Sequence, residues 1–164
     1  MVRSQQIIDV FQRQGVTHAV GLTDNIQRTL FLALEGDPRI RLVTVCREGE
    51  AFGVAAGLWV GGARPVVLLQ NTGFLEAGDA LRGTAINMAV PLVMLIGFRG
   101  RRSLAPGAGR VDTAATFLEP TLRAWGVAYD TLAGPEDLPL LERAFAASER
   151  ESRPRALLIP EALE

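Results

Sequence analysis

The chain has 164 residues, of which 48% are hydrophobic and 21% charged, and its formal net charge is -1. This length and composition suit one globular domain with its own core, and the near-neutral charge excludes a general attraction to nucleic acid or anionic membranes. All 17 basic residues are arginine, which excludes a lysine-dependent phosphate loop and Schiff-base chemistry.

Helical and extended patterns alternate along the whole chain. Ser4 caps a first predicted helix, which buries Ile7 and Phe11 and ends near Gly15. Six short apolar segments are predicted as strands: 17–22, 41–46, 65–70, 91–96, 127–132 and 156–159. The second helix is predicted to be capped by Asp24 or Asn25, and the later helices are predicted at 50–60, 77–88, 113–125 and 136–149.

The third and fourth predicted strands are apolar on both faces, as is typical of strands inside a parallel sheet. The alternation of strands and helices predicts an α/β fold, a three-layer open parallel sheet with helices on both faces. We expect residues 1–164 to form a single domain. Such sheets bind ligands beyond the carboxyl ends of their strands, so the candidate site consists of the segments that follow the strands.

Other features predict where the protein resides and which sites it lacks. Residues 99–110 are polar, rich in Gly and Pro and without periodicity, which predicts a mobile surface loop. No apolar run reaches the ~18 residues of a membrane span, and the N-terminal pattern is not that of a signal peptide. We therefore expect a cytoplasmic protein that binds neither nucleic acid nor membrane. The single Cys46, predicted to be buried, and the single His18 exclude disulfides and metal sites rich in Cys or His, so no metal ligand is predicted.

Glu48 follows the second predicted strand and precedes a helix of very small residues, 49–57. Helix N-termini favour acidic side chains, so helix-start electrostatics alone would explain both Glu48 and Glu50. The small residues add a second observation, because they would let this helix approach another surface closely.

The segment 47–57 resembles the glutamate motif of decarboxylases that depend on thiamine diphosphate (ThDP). In that family an acidic residue follows the second strand and a glycine stands nine positions later, as Glu48 and Gly57 do here. Residues 70–73 and 95–100 resemble the matching segments of sulfopyruvate and phosphonopyruvate decarboxylases. The resemblance covers roughly residues 3–160.

The resemblance implies a pyrimidine-binding (alpha) subunit. Family enzymes hold ThDP between two domains, one of which binds the aminopyrimidine and the other the diphosphate through Mg²⁺. The diphosphate domain carries a Gly-Asp-Gly motif, whereas the nearest match here, Gly78-Asp79-Ala80, lacks the final glycine and no asparagine follows Asn87. The resemblance therefore implies a diphosphate-binding beta subunit that binds Mg²⁺, in a hetero-oligomer, or a self-paired homodimer when the chain is isolated. The helices at 49–57 and 77–88 are then expected to be partly buried against another subunit.

The resemblance also implies roles for two acidic residues. Glu48 corresponds to the glutamate that hydrogen-bonds the pyrimidine ring, favours the imino tautomer and so activates the cofactor. Asp24 falls where related decarboxylases carry an acidic residue near the reacting substrate carbon, and there it would assist proton transfer. The alternative for Asp24 is a helix N-cap, and Thr23 stands where the family usually has proline.

Further residues are assigned to cofactor and substrate by the same resemblance. Asn71, Thr72, Gly73 and Phe74 are predicted to form the cofactor-binding loop beside the pyrimidine, the alternative being a simple strand-to-helix turn. The sequence continues Gly73-Phe74-Leu75-Glu76, where the related decarboxylases have Gly-Leu-Gly-Asn, a departure that bears on substrate identity.

Substrate binding is predicted for Asp24, Asn25 and Arg99. Arg99, Arg101 and Arg102 cluster after the fourth strand, and arginine forks suit sulfonate, phosphonate or carboxylate groups. A solvated surface loop is the alternative for this cluster.

The resulting hypothesis is a subunit of a ThDP-dependent carboxy-lyase that decarboxylates a small anionic 2-oxo acid resembling sulfopyruvate. The alternative is a non-catalytic binding or interaction subunit that keeps the same fold. A Rossmann nucleotide binder is excluded, because residues 21–25 after the first strand contain no Gly-x-Gly-x-x-Gly motif.

Overall fold

The computed structural model describes residues 1–164 and contains one parallel sheet with the strand order β2-β1-β3-β4-β6-β5. The strands are β1 (His18–Gly21), β2 (Arg41–Thr44), β3 (Pro65–Gln70), β4 (Val93–Gly97), β5 (Ala128–Thr131) and β6 (Arg155–Ile159). All five neighbouring pairs are parallel. The chain runs from β1 to the edge strand β2 and then crosses back over β1 to β3, so the strand order reverses beside β1.

Seven α-helices connect and cover the strands. They are α1 (Ser4–Arg13), α2 (Arg28–Glu35), α3 (Glu48–Val60), α4 (Asn71–Glu76), α5 (Gly78–Ala80), α6 (Thr113–Ala124) and α7 (Leu138–Glu151). A π-helical turn, Leu81–Ile86, continues α5, and 3-10 turns occur at Arg101–Leu104 and Pro135–Asp137. None of these helices combines the length and the apolar character needed to cross a membrane.

Two apolar cores lie on opposite faces of the sheet. One joins α3, α4 and α6 to the sheet through residues such as Phe52, Phe74 and Leu118. The other joins α1, α2 and α7 through residues such as Phe11 and Phe31. Within β3, Val66 and Leu68 contribute to one core and Val67 and Leu69 to the other. The predicted three-layer α/β fold is therefore confirmed.

The six predicted strands are all present, but several predicted boundaries are wrong. The predicted cofactor loop at Asn71–Gly73 is the first turn of α4, which begins directly after β3. Asn and Gly suggested a turn, but Gly73 is not among the glycines with positive φ, and Phe74 anchors the helix in the core. The predicted loop at 99–110 contains the 3-10 turn, whose Ser103 hydroxyl donates to the Gly100 carbonyl.

Several helix starts also differ from the sequence prediction. Ser4, predicted to cap the first helix, is the first residue of α1 and follows the N-cap Arg3. Helix α2 begins at Arg28, not directly after Asn25, because residues between Asp24 and Arg28 form a separate turn around the Asp24 carboxylate. Helix α3 begins at Glu48, two residues earlier than predicted. Glu48 therefore lies in the first turn of a helix whose start is fixed by other side chains.

Candidate functional site

Two carboxylates at the carboxyl edge of the sheet rest on glycines from other strand connections. Glu48, after β2, lies against Gly73 in the helix that follows β3. Asp24, after β1, lies against Gly97 at the end of β4. The edge thus gathers residues from four consecutive strands at the position where the strand order reverses, which is where open parallel sheets bind ligands.

The contact between Glu48 and Gly73 is so close that only glycine fits. A Cβ atom built on Gly73 would lie 2.2 Å from both Cγ and Oε1 of Glu48, closer than real Cβ contacts. Glu48 itself is half-buried. Because residue 73 has no side chain, the Glu48 carboxylate can lie directly against the first turn of α4.

Glu50, not Glu48, satisfies the start of α3. Its Oε2 accepts hydrogen bonds from the backbone amides of Cys46 (2.9 Å) and Arg47 (3.2 Å). The helix-start interpretation therefore holds for Glu50. Glu48 is not needed for capping, which leaves its carboxylate for another partner.

A surface ion pair borders this helix start. Arg47 donates to Glu76, the last of the three residues at which the sequence departs from the Gly-Leu-Gly-Asn pattern. This hydrogen bond raises the pKa of the Arg47 guanidinium. Glu76 therefore pairs with the cation adjacent to Glu48 and links the N-cap residue of α3 to the last residue of α4.

Asp24 is buried and accepts three hydrogen bonds from its own connection. Its Oδ1 accepts from the amides of Ile26 (2.5 Å) and Gln27 (2.9 Å), and its Oδ2 accepts from Gln27 Nε2 (2.9 Å). The predicted cap of α2 at Asp24 or Asn25 is wrong, because Gln27 is the N-cap of that helix. Asp24 instead accepts from the backbone of the turn that precedes α2. A Cβ on Gly97 would lie 2.8 Å from Asp24 Oδ2, so this carboxylate too depends on a glycine.

Gln27 is a site residue that the sequence analysis missed. It is fully buried, and its Nε2 also donates to the Leu69 carbonyl (2.9 Å) and, at 3.4 Å, to the Leu95 carbonyl. The available signal was its spacing, because Gln27 stands three residues before Leu30 on the predicted apolar face of α2. A polar residue on that face indicates a buried hydrogen bond.

The residues predicted to contact the cofactor after β3 differ in how accessible they are. Asn71 is fully buried, and its side-chain amide donates to the Arg99 carbonyl (2.9 Å), which joins the ends of β3 and β4. The Thr72 hydroxyl donates to Gln70 Oε1 (2.9 Å). Phe74 is also fully buried and packs on Trp125, with ring centroids 5.4 Å apart. Of this group, Gly73 is the residue that the structure places directly against Glu48.

The predicted cluster of three arginines after β4 does not form. Arg99 Nε donates to Asp112 Oδ2 (3.2 Å), Arg101 lies over the Phe98 ring at 5.8 Å, and Arg102 pairs with Glu161. Arg99 instead lines a cleft of about 500 Å³ together with Arg110 and the start of α6. Arg99 remains half exposed beyond its ion pair.

The other candidate residues lie at the surface or away from this edge. Asn25 and Cys46 are both exposed, so the prediction of a buried Cys46 is wrong, because β2 ends at Thr44 before reaching it. His18 begins β1 at the opposite edge, where its Nδ1 is 2.9 Å from the Thr17 hydroxyl. The structure contains no group of three or more His, Cys, Asp or Glu side chains able to hold a metal ion.

Comparison with known proteins identifies relatives. A sulfopyruvate decarboxylase of Methanosarcina acetivorans is 30% identical over 156 residues, which are 94% of this chain and 39% of the relative. A phosphonopyruvate decarboxylase of Streptomyces viridochromogenes is 31% identical over 101 residues, 62% of this chain and 25% of the relative. A sulfopyruvate decarboxylase subunit alpha of Methanothermobacter thermautotrophicus is 34% identical over 86 residues, 52% of each chain. This chain thus spans about half or less of the length of each of these relatives.

The fold also occurs in a solved structure. The crystal structure of benzoylformate decarboxylase from Polynucleobacter necessarius superimposes with a TM-score of 0.77 and 22% identity, over 98% of this chain and 30% of that one. The family described as "Thiamine pyrophosphate enzyme, N-terminal TPP binding domain" matches residues 1–116. Because that match covers most of the chain, the protein belongs to the thiamine pyrophosphate enzyme family and carries its N-terminal TPP binding domain.

Proposed function

We propose that this chain is the pyrimidine-binding subunit of a ThDP-dependent decarboxylase, and that Glu48 is the carboxylate that activates the cofactor. The observation that carries the proposal is the placement of Glu48 on Gly73 while Glu50 caps the helix. A carboxylate that shares a proton with a bound ring must be fixed in position, and its oxygens must not already be occupied by hydrogen bonds within the protein. Glu48 meets both conditions.

The residues at this edge fit the aminopyrimidine half of ThDP. Glu48 would hold the ring by a hydrogen bond to a ring nitrogen, and Thr72 and Gly73 in the first turn of α4 are proposed to line the same side. Bound ThDP supplies the electron sink for cleavage of the bond to CO₂. The chain orients the cofactor and supplies a carboxylate that exchanges a proton with it. General acid–base assistance of this type accelerates reactions by roughly 10²–10⁴-fold.

Asp24 serves the later proton transfer in this proposal. Its Oδ1 accepts two backbone hydrogen bonds, whereas Oδ2 accepts only one, from Gln27. Each carboxylate oxygen has two lone pairs, so Oδ2 keeps one free to hold and release a proton at the substrate carbon that has lost CO₂.

The substrate is proposed to be a small 2-oxo acid with a second anionic group, similar to sulfopyruvate. The relatives are named for sulfopyruvate and phosphonopyruvate, and both acids carry such a group. Arg99, with Arg110 across a shared cleft, supplies cationic donors for it, since guanidinium forks bind sulfonate and phosphonate oxygens. Asn25 follows Asp24 in the chain and is exposed, and we propose that its side chain makes a further polar contact with the substrate.

A second chain is proposed to supply the diphosphate site and its Mg²⁺. Three relatives are named as subunit alpha, a name that fits a two-chain enzyme. The outer face of α3 is open, because nothing lies within 4 Å of a Cβ built on Gly53 or Gly57. Val60 on the same helix is 66% exposed. We place the beta subunit against this face.

The test is CO₂ release from sulfopyruvate, phosphonopyruvate and pyruvate by the chain mixed with a diphosphate-domain partner, ThDP and Mg²⁺. We expect release to need both chains and to fall by about 10²–10⁴-fold in Glu48→Gln. Glu50→Gln is the matched control, since it changes a carboxylate on the same helix whose hydrogen bonds serve the backbone. It should lower stability by about 0.5–1 kcal/mol and leave turnover intact.

The outcomes separate the alternatives. Full activity of Glu48→Gln would reject the assignment of Glu48, whatever the substrate. ThDP binding without release from any of the three acids would keep the cofactor and move the proposal to another 2-oxo acid. Failure of the assembled complex to bind ThDP would favour a non-catalytic subunit with the same fold.

A further inference from the structure

Gln27 is the only fully buried side-chain amide that bonds directly to a proposed catalytic group. Its Nε2 lies 2.9 Å from Asp24 Oδ2 and 2.9 Å from the Leu69 carbonyl, while the Leu95 carbonyl is 3.4 Å away. The amide therefore links the carboxylate to the backbone of β3 and β4, the two central strands whose ends form the site edge.

Stability alone does not explain an amide at this position. No protein group donates to Gln27 Oε1, although the atom is buried. Burying an amide oxygen without a protein partner is unfavourable, and an apolar side chain of the same length would avoid that penalty. Leu30 and Leu34, the next residues on this face of the helix, are apolar and fully buried. The benefit of Gln27 must therefore come from its donor group.

The geometry determines what that donor group does. Asp24 Oδ1 is fixed by two backbone amides, but Oδ2 has Gln27 Nε2 as its single donor. Gly97 offers Oδ2 a surface without a side chain, since a Cβ there would lie 2.8 Å away. Gln27 Nε2 is thus the only hydrogen-bond donor to the carboxylate oxygen that lies against Gly97.

We propose that Gln27 is a positioning residue that acts through Asp24, by holding Oδ2 against Gly97 in the orientation that proton transfer requires. This inference rests on the proposed function for the role of Asp24. Gln27 is suited to the task because its amide donates in every protonation state of Asp24 and cannot itself take up the proton.

The test is a double-mutant cycle in the assembled enzyme with Gln27→Met, Asp24→Asn and both together. Met has a similar length but no donor. We expect Gln27→Met to lower kcat by about 10–100-fold with little change in KM, because small displacements of a reacting group have effects of that order. The double variant should be no slower than Asp24→Asn alone, since both changes remove the same function. Effects that multiply would overturn the proposal.

A matched control uses Ser148, a fully buried polar residue whose hydroxyl donates to the Arg153 carbonyl (2.6 Å). Ser148→Ala should lower thermal stability yet leave kcat unchanged. A drop in kcat in Ser148→Ala as large as that in Gln27→Met would mean that loss of buried polar contacts in general slows the enzyme, and would count against a specific role of Gln27.

A crystal structure of the Gln27→Met chain supplies a readout that does not depend on activity. We expect the Asp24 carboxylate to rotate away from Gly97, and an unmoved Oδ2 would contradict the proposal. Failure of the proposed function looks different, because then the wild-type complex releases no CO₂ or Asp24→Asn is fully active. If the wild-type complex is active and Asp24→Asn impairs it, the proposed function stands. A wild-type kcat in Gln27→Met would then reject only the positioning role of Gln27.

Discussion

Each proposed catalytic carboxylate lies against a glycine from another element, Gly73 in α4 or Gly97 at the end of β4. Gly73 accommodates Glu48 and Gly97 accommodates Asp24, and in both cases a Cβ would overlap the carboxylate side chain. Neither glycine has a positive φ, so conformational freedom is not the reason for glycine at these positions. The requirement is space, because each glycine lets an acidic side chain lie flat on the backbone of the site edge.

The Gly73–Glu48 contact leads to a prediction. Gly73→Ala should displace the Glu48 carboxylate, since the new Cβ would lie 2.2 Å from its Cγ. We expect ThDP-dependent turnover of the assembled complex to fall by about 10²-fold, the usual effect of misplacing a catalytic group by ~1 Å. The chain should remain folded because alanine favours the helix.

Gly83→Ala is the control for this change. Gly83 is also helical, and nothing lies within 4 Å of a Cβ built there. Turnover in Gly83→Ala should match that of the wild type. Steady-state kinetics and circular dichroism of both variants check the prediction, and wild-type turnover in Gly73→Ala would show that Glu48 does not need this contact.

Individual residues could be predicted from the sequence only where a pattern marked them. Glu48 and Asp24 follow strands and match a known motif, so the sequence marks both as candidates. Gln27 was missed because its importance depends on burial and on carbonyls from β3 and β4, 42 and 68 residues away in the chain. That Glu50 rather than Glu48 bonds to the backbone at the start of α3 likewise becomes visible only in the structure.

At the scale of elements, the connection between α2 and β2 is held by one aspartate. Asp37 accepts hydrogen bonds from the Arg39 amide (2.8 Å), from the Arg39 guanidinium and from Gln12 Nε2 (3.1 Å) of α1. The bonds from Arg39 are the main cause that lowers the pKa of the Asp37 carboxyl from its ordinary 3.8 to about 2. Its ionised form is therefore favoured by folding.

This depressed pKa predicts how stability depends on pH. Because the folded-state pKa lies below the unfolded value, the contribution of Asp37 is fully present above about pH 4 and is lost as the pH falls toward about 2. We expect Asp37→Asn to be less stable than the wild type at pH 6, with a difference that shrinks across that window. Urea unfolding at several pH values measures it.

Asp130→Asn is the control for this experiment, since Asp130 is exposed on the edge strand β5. Its unfolding free energy should differ little from that of the wild type. A stability difference for Asp37→Asn that stays constant from pH 6 to pH 2 would show that the carboxylate charge is not the source of the stabilisation.

Elements were predicted well where burial gives a strong pattern and poorly where one contact determines the conformation. The apolar runs of β3 and β4 marked both strands. The start of α4 was missed because Asn71 and Gly73 are common in turns, while the helix depends on Phe74 in the core and on the bond from Asn71 to Arg99. Such long-range contacts leave no periodic signal.

At the scale of the whole molecule, the strand order explains why residues distant in sequence share one site. Helix α3 returns the chain from the edge strand β2 across β1 to β3, which brings its first turn over the start of α4. The alternation of helices and strands predicts the parallel sheet, whereas the sequence alone does not give the strand order. The open face of α3 is a consequence of this path, because its inner face packs on the sheet while Gly53 and Gly57 have no neighbouring element.

The proposed assembly predicts the effect of a large charged residue on that face. Gly53→Arg should leave the isolated chain folded, because nothing lies within 4 Å of a Cβ there and replacing a helical glycine gains up to about 1 kcal/mol of helix stability. The guanidinium would occupy the space proposed for the beta subunit, so we expect complex formation to weaken by more than 10-fold. Sedimentation velocity of the two mixed chains measures the association.

Gly36→Arg separates an effect on the interface from an effect of added charge. Gly36 is also exposed, follows α2 on the opposite face of the sheet, and has room for a side chain. This variant should bind the partner chain as the wild type does and support the same CO₂ release. If Gly53→Arg also binds with wild-type affinity, α3 does not form the subunit contact, and the partner must approach the Glu48 carboxylate from the side of α4 and the π-helical turn.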